Sequence, residues 1–356
     1  MKRSSVEATY IEHVIFEQVH WRDVDAGRVA LEASEAHAAM SERCELYRRL
    51  DGSGVRLPSG EALVPSYLFK SHPVHFDGLD VSGLKACTSS GTLGTKSVVH
   101  RDDRTLERFV GSVGYGIGHL LGRDHDRRRA FVLSPPPADA GDLWFSYVLS
   151  LVDVFYQTGF YGAGGKIDFS RLWTDLQSES FYQPLVVGPP SLIVDFMAFL
   201  KRSGLTLDLG GKDAFIVTAG GWKNRASEQI SPPAFRAQCA CAFGLSPERV
   251  RDSFNMVELN SVMFECEHHR MHVPPWLRVE VLDPITMREV EGEGILAFLD
   301  PTAGSYPGHV LSEDVGRIER GLCPCGIDGP RLTFLRRVKA NEQRGCATKM
   351  SLFDAT

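Results

Sequence analysis

No stretch of the 356-residue chain is long and apolar enough to span a bilayer: the longest, such as YVLSLVDVFY with Asp153 inside it, falls well short of about 20 residues. The opening MKRSSVEATYIEHVIFEQVHW starts basic but has no continuous apolar segment, because Glu, His and Gln interrupt it, so no secretion signal is expected. Positive charge is also scarce. Lys and Arg total 39 against 45 Asp and Glu, a net charge of −6, which argues against a nucleic-acid-binding surface or a polybasic membrane patch. Internal repeats and low-complexity tracts are absent, as is the G-x-x-x-x-G-K-[ST] spacing of a Walker phosphate loop. These absences leave a soluble, cytoplasmic protein acting on a small ligand.

What is present is CTSSGTLGTKSVVHRDD, residues 87–103, which gathers small hydroxylated residues and glycines around one apolar residue and then meets a lysine. Gly91 and Gly94 let backbone N–H groups approach an anion, the hydroxyls of Thr88, Ser89, Ser90, Thr92 and Thr95 can donate, and Lys96 adds positive charge. A polyphosphate is the natural ligand.

Apolar content of 43% supports a sizeable core over this length. Helical spacing marks residues 5–20 and 31–50, so residues 1–60 read as an N-terminal helical segment. From there to about 260, short apolar runs alternate with helical patterns: strands at 130–134 and 214–221, and helices at 143–156, 191–204 and 232–244, the last capped by Ser231. Such alternation implies an α/β core with a largely parallel sheet and crossover helices. Residues 261–338 switch to short strands with tight turns, a more antiparallel, barrel-like section, and 339–356 form a short tail. The charge-rich RDDRTLER and GRDHDRRRAF read as solvated helix faces or loops.

The loop T-S-S-G-T-x-G-x-K resembles the phosphate loop of adenylate-forming enzymes, the superfamily of acyl-CoA synthetases, luciferases and adenylation domains. Companions follow in order. TAGGWKN, with Gly220 and Gly221, is similar to the turn lining the adenine pocket, and DSFNMVELN puts Glu258 at the position of the glutamate that helps hold magnesium and ATP. HVLSEDVGRIERG puts Asp314 where the ribose hydroxyls are bound, and Arg337 lies eight residues before Gly345, as in the hinge element. Within the superfamily the chain most resembles the acyl-protein synthetase of bacterial luminescence, and more distantly phenylacetate-CoA ligases, through VPSYLFKSH, TSSGTLGTKS, TAGGWK, the run at 265–276, CPCG and RVKANEQRGC.

The resemblance implies the large subdomain of the adenylate-forming fold without its C-terminal lid. It further implies activation of a carboxylic acid by ATP and Mg2+ as an acyl-adenylate, followed by transfer to a thiol or amine. Lys223 is a candidate for the lysine that the lid contributes, and Cys346, flanked by Arg344 and Lys349, stands where the luminescence family carries its acyl acceptor. CoA, a carrier protein or a partner enzyme are alternative acceptors, and a fatty or an aromatic acid would suit the aromatic residues near the glycine turn, Phe254 and Trp222 among them. Competing readings are an acyl- or aryl-CoA ligase of secondary metabolism, a partner-dependent nucleotide-binding subunit, and a zinc-stabilised acyltransferase that uses no ATP.

Eight cysteines complete the inventory. Cys266, His272, Cys323 and Cys325 form a C-x5-H and C-x-C set suited to a closed, structural Zn2+ site, a set that phenylacetate-CoA ligases also carry, with His268 and His269 as alternatives to His272. Cys239 and Cys241 fall in one helix and read as small core residues.

Overall fold

The computed structural model describes residues 8–51, 56–57, 59–72, 74–90, 95–122, 127–178 and 183–338, the side chains of residues 51, 223, 224 and 226 apart. Five short segments rich in Val, Ile, Leu and Phe form its centre: Gln157–Phe160, Arg128–Val132, Gln183–Gly188, Phe215–Ala219 and Val250–Phe254 lie side by side in that order, all parallel. Period-2 alternation divides their side chains between two cores. Phe131, Leu133, Val186, Ile216 and Val250 pack against Leu172, Ile193, Phe196 and Phe235 of the crossover helices Phe169–Ser178, Pro190–Ser203 and Pro232–Phe243. Ala130, Val132, Leu185, Val187, Phe215 and Val217 join the larger opposite cluster with Phe109, Trp144 and Val257. Both faces are covered, as a parallel sheet requires.

Past Val250–Phe254 the same sheet continues antiparallel through Met263–Glu265, Met271–His272, Arg331–Arg337, His309–Glu319, Gly294–Leu299 and Arg278–Leu282. Val64–Pro65 adds a short parallel pairing to Val310 and Leu311, bringing this mixed sheet to twelve strands among the described residues. The fold is mixed α/β, and no helix among the described residues is long and apolar enough to cross a membrane.

Several local expectations need correction. The helix expected over 143–156 divides into Trp144–Ser150 and Val152–Phe155. Ser231 occupies the N-cap of Pro232–Phe243, but its side chain makes no capping bond. Of the two cysteines in that helix Cys239 is buried and Cys241 exposed, because residues two apart on a helix face different ways.

RDDRTLER is not a solvated face. Arg101 is buried, Asp102 caps the helix Asp103–Gly116, and Arg104 and Arg108 both bind the buried Glu12 of the N-terminal helix Tyr10–Phe16 at 2.7–2.8 Å. Burial alone would raise the Glu12 pKa, but the two guanidiniums and the Thr9 amide outweigh it and hold the carboxyl down at about 2.

Candidate active site

The two ends of the hydroxyl-rich loop are fixed by the hairpin of Lys85–Thr88 and Val98–Arg101. Inside the hairpin, the Ser89 amide donates to the Ser97 carbonyl at 3.0 Å, and the Ser97 amide donates to Ser89 Oγ at 2.9 Å. Thr88 N–H donates to the Asp142 carbonyl at 2.7 Å, which sets the loop's start against the segment leading into the helix Trp144–Ser150. Ser90, Thr95 and Lys96 are exposed where the loop opens, while Thr88 and Ser89 are half-buried. Gly91, Thr92 and Gly94 lie outside the described residues.

Two neighbouring side chains of that helix connect the loop to two other segments. Trp144 Nε1 donates to Asn255 Oδ1 at 2.6 Å, and Asn255 Nδ2 in turn donates to the carbonyls of Leu259 and Ser261, which shapes the turn carrying Glu258. Phe145 lies over Gly220, where φ is +72° and an added Cβ would come within 2.8 Å of the ring. Only glycine meets both conditions without strain. Gly220 and Gly221 are exposed just past the end of Phe215–Ala219, whose neighbour Val250–Phe254 pairs Ser253 with Ala219. The glycine turn and the Glu258 turn therefore leave adjacent parallel strands at their carboxyl ends, where open α/β sheets bind ligands.

Glu258 is buried and accepts a hydrogen bond from Ser97 at the loop's exit. Burial raises its pKa, and this is opposed by Ser97, a backbone amide and the charges of Lys70 and Arg101. Arg101 holds the turn from beneath. Its Nη2 donates to the carbonyls of Val257 and Leu259, the residues flanking Glu258, at 2.7 and 3.0 Å, and its Nε donates to Asn260 Oδ1 at 3.1 Å. The guanidinium stacks 3.7 Å from the Trp144 ring centre, a planar fit that a lysine would not reproduce.

Asp314 sits mid-strand in His309–Glu319, directly opposite Arg337, whose Nε lies 3.3 Å from its carboxylate. Burial raises the Asp314 pKa and the Arg337 charge pulls it back. Beside it, Glu313 pairs with Lys70 at 2.9 Å. The structure thus brings the loop, the glycine turn and Glu258 together, and pairs Asp314 with Arg337.

Comparison with known proteins gives the family and the fold. The profile of the family described as acyl-protein synthetase, LuxE matches residues 62–353. The chain belongs to this family. Two relatives are each named Long-chain-fatty-acid--luciferin-component ligase. The one from Vibrio harveyi is 37% identical over 272 residues, 74% of this chain and 70% of the relative, and the one from Aliivibrio fischeri is 33% identical over 269 residues, 74% and 71%. Among solved structures, 2-hydroxyisobutyryl-CoA ligase in an open conformation superposes with a TM-score of 0.66 at 17% identity, covering 88% of this chain and 69% of that one. That likeness shows the fold, part of the adenylate-forming architecture.

The cysteine and histidine set also converges. The donor atoms of Cys266, His272, Cys323 and Cys325 all lie within 4.8 Å of one another, with Cys325 Sγ 3.4 Å from His272 Nε2 and Cys266 Sγ 3.9 Å from Cys323 Sγ. His272 fills the fourth place; His268 is half exposed beside Glu267, and His269 contacts the Pro247 carbonyl. No disulfide occurs among the described residues.

Two further expected residues have no described environment. Lys223 begins the turn Lys223–Glu228 but its side chain is outside the described residues, as is the whole of Cys346. Of the expected pocket walls, Phe254 stacks on Phe334 at 3.8 Å while Trp222 packs with the opposite core. Sequence reading overlooked Arg101, Ser97 and Lys70. For Arg101 a signal existed, since alternation in Val98–Arg101 puts it on the same buried side as Val99.

Proposed function

We propose that this chain activates a carboxylic acid with ATP as an acyl-adenylate and passes the acyl group to a thiol. It is an AMP-forming ligase. The observation carrying this reading is the meeting of the hydroxyl-rich loop with Glu258 through Ser97, at the carboxyl edge of the parallel strands. In the first step a carboxylate oxygen of the acid attacks the α-phosphorus and the bond to the β,γ-pyrophosphate breaks. In the second, a thiolate attacks the acyl carbonyl and AMP leaves. The loop hydroxyls and Lys96 bind the polyphosphate, Gly220 and Gly221 leave room for the adenine, and Asp314, steadied by Arg337, accepts from the ribose hydroxyls.

Mg2+ suits Glu258, a hard oxygen donor beside the phosphate loop, and when bound would offset the charge repulsion between acid and triphosphate. Zn2+ suits the four clustered sulfur and nitrogen donors, which leave no open position and would pin the Met263–His272 hairpin to the segment around 323–325.

The names of the two relatives favour a long-chain fatty acid as substrate, and Cys346 is the acceptor thiol we assign, with CoA or a carrier thiol as alternatives. Hydroxylamine trapping tests the reading. With ATP, Mg2+ and a panel of fatty and aromatic acids, the protein should yield AMP and the hydroxamate of a long-chain acid. A panel that gives no hydroxamate, with ATP left intact, contradicts it.

A further inference from the structure

Parallel pairing of Val64 with Val310 and Pro65 with Leu311, extended by the Ser66 amide donating to the Leu311 carbonyl at 2.8 Å, sets the helix Leu68–Ser71 beside the next residues of the long strand. The helix is held by packing as well, for Phe69 is buried and its ring lies edge-on to Tyr306, whose hydroxyl receives a hydrogen bond from Arg101 at 3.1 Å. Lys70 projects from this anchored turn. Its Nζ reaches Glu313 Oε2 at 2.9 Å, and both side chains keep a little over a quarter of their surface exposed, 29% and 27%. Glu313 immediately precedes Asp314, and the charge of Lys70 also acts on Glu258.

We propose that Lys70 is a catalytic residue whose ammonium contacts the α-phosphate of ATP during adenylation. This deepens the function proposed above and rests on it. If Asp314 takes the ribose and Glu258 faces the metal-bound end of the triphosphate, the α-phosphate lies between them, and Lys70, paired with the residue before Asp314 and close enough for its charge to act on Glu258, is a cation set near that position. Adenylation builds negative charge on the α-phosphoryl oxygens and the departing pyrophosphate while the acid forms its new P–O bond, and a compact ammonium held in place stabilises that charge. Glu313 is the partner of Lys70 before ATP arrives, and the α-phosphate takes its place as the counter-charge once the nucleotide is bound. The short motif VPSYLFKSH thereby acquires a chemical role: the strand residues dock the segment and Lys70 serves the reaction.

The test uses acid-dependent exchange of labelled pyrophosphate into ATP, with equilibrium ATP binding measured on the same preparations. Lys70→Met should lower exchange roughly a hundredfold. Its ATP affinity should stay within about threefold of wild type, less than 1 kcal/mol. Glu313→Gln removes only the ion-pair partner and should keep exchange within about threefold of wild type. Should Lys70→Met fold poorly, Lys70→Gln carries the same expectation. The proposal is overturned if wild type exchanges and the Lys70 variants match it, or if Glu313→Gln loses as much as they do, which would make Lys70 a strut. A wild type that exchanges with no acid defeats the adenylation reading itself, a result distinguishable from either.

Discussion

Asp252 is a carboxyl placed at odds with its surroundings. It is half-buried in the strand leading to Glu258, with Glu265 close enough to repel it, and desolvation and that repulsion outweigh the hydrogen bond from Thr218 Oγ1 at 2.6 Å and the charge of Arg236, so its pKa rises to about 7. Because the folded-state value lies above the unfolded one, Asp252 favours the fold at pH below about 4 and that contribution is lost as pH climbs through 7. Asp252→Asn should therefore unfold at higher urea than wild type at pH 8, by up to a few kcal/mol, with the gap shrinking toward pH 4. Equal midpoints at pH 8 would mean that Glu265, held by Arg236 at 2.6 Å, leaves Asp252 an ordinary acid. Arg101 teaches the same lesson from the other sign. A guanidinium in a run of charges looks solvated, yet four acceptors and a Trp face take it fully out of water. Composition gives no hint of such partners, since they come from residues 144, 257–260 and 306.

At the scale of elements, two of the five central strands, Arg128–Val132 and Phe215–Ala219, and the crossover helices Pro190–Ser203 and Pro232–Phe243 were legible because apolar periodicity and Gly or Pro punctuation are local signals, as at Pro190–Ser203 with Gly204 at its C-cap. The break at Leu151 was not, because both halves of 143–156 are apolar and the interruption reflects packing. The Cys and His cluster joins the Met263–His272 hairpin to a turn some fifty residues later, and its sequence spacing suggested the ligands without fixing their meeting. We expect purified protein to carry equimolar zinc by elemental analysis. Cys325→Ser should lose the metal and unfold several degrees lower, with loss of a structural site, while Cys241→Ser on the exposed helix face keeps it. Folded wild type devoid of zinc, or Cys325→Ser that retains it, contradicts a metal centre.

Across the whole molecule, one sheet carries both halves of the proposed site: its parallel half ends in the glycine turn and the Glu258 turn, and its antiparallel half carries Asp314 and Arg337. Motif order along the chain named the segments proposed to take part. Their contacts required the fold, because the helix Trp144–Ser150 links the loop to the Asn255 and Gly220 turns, and the Val64–Pro65 pairing delivers Lys70, connections that no spacing rule encodes. The central claim is adenylation at this edge. Exchange of labelled pyrophosphate into ATP, driven by a long-chain fatty acid, tests it most directly. Wild type should exchange, Glu258→Gln should fall by roughly a hundredfold, and Cys346→Ser should match wild type because the acceptor acts only after the adenylate forms. ATP binding without exchange, for every acid offered, would contradict the account.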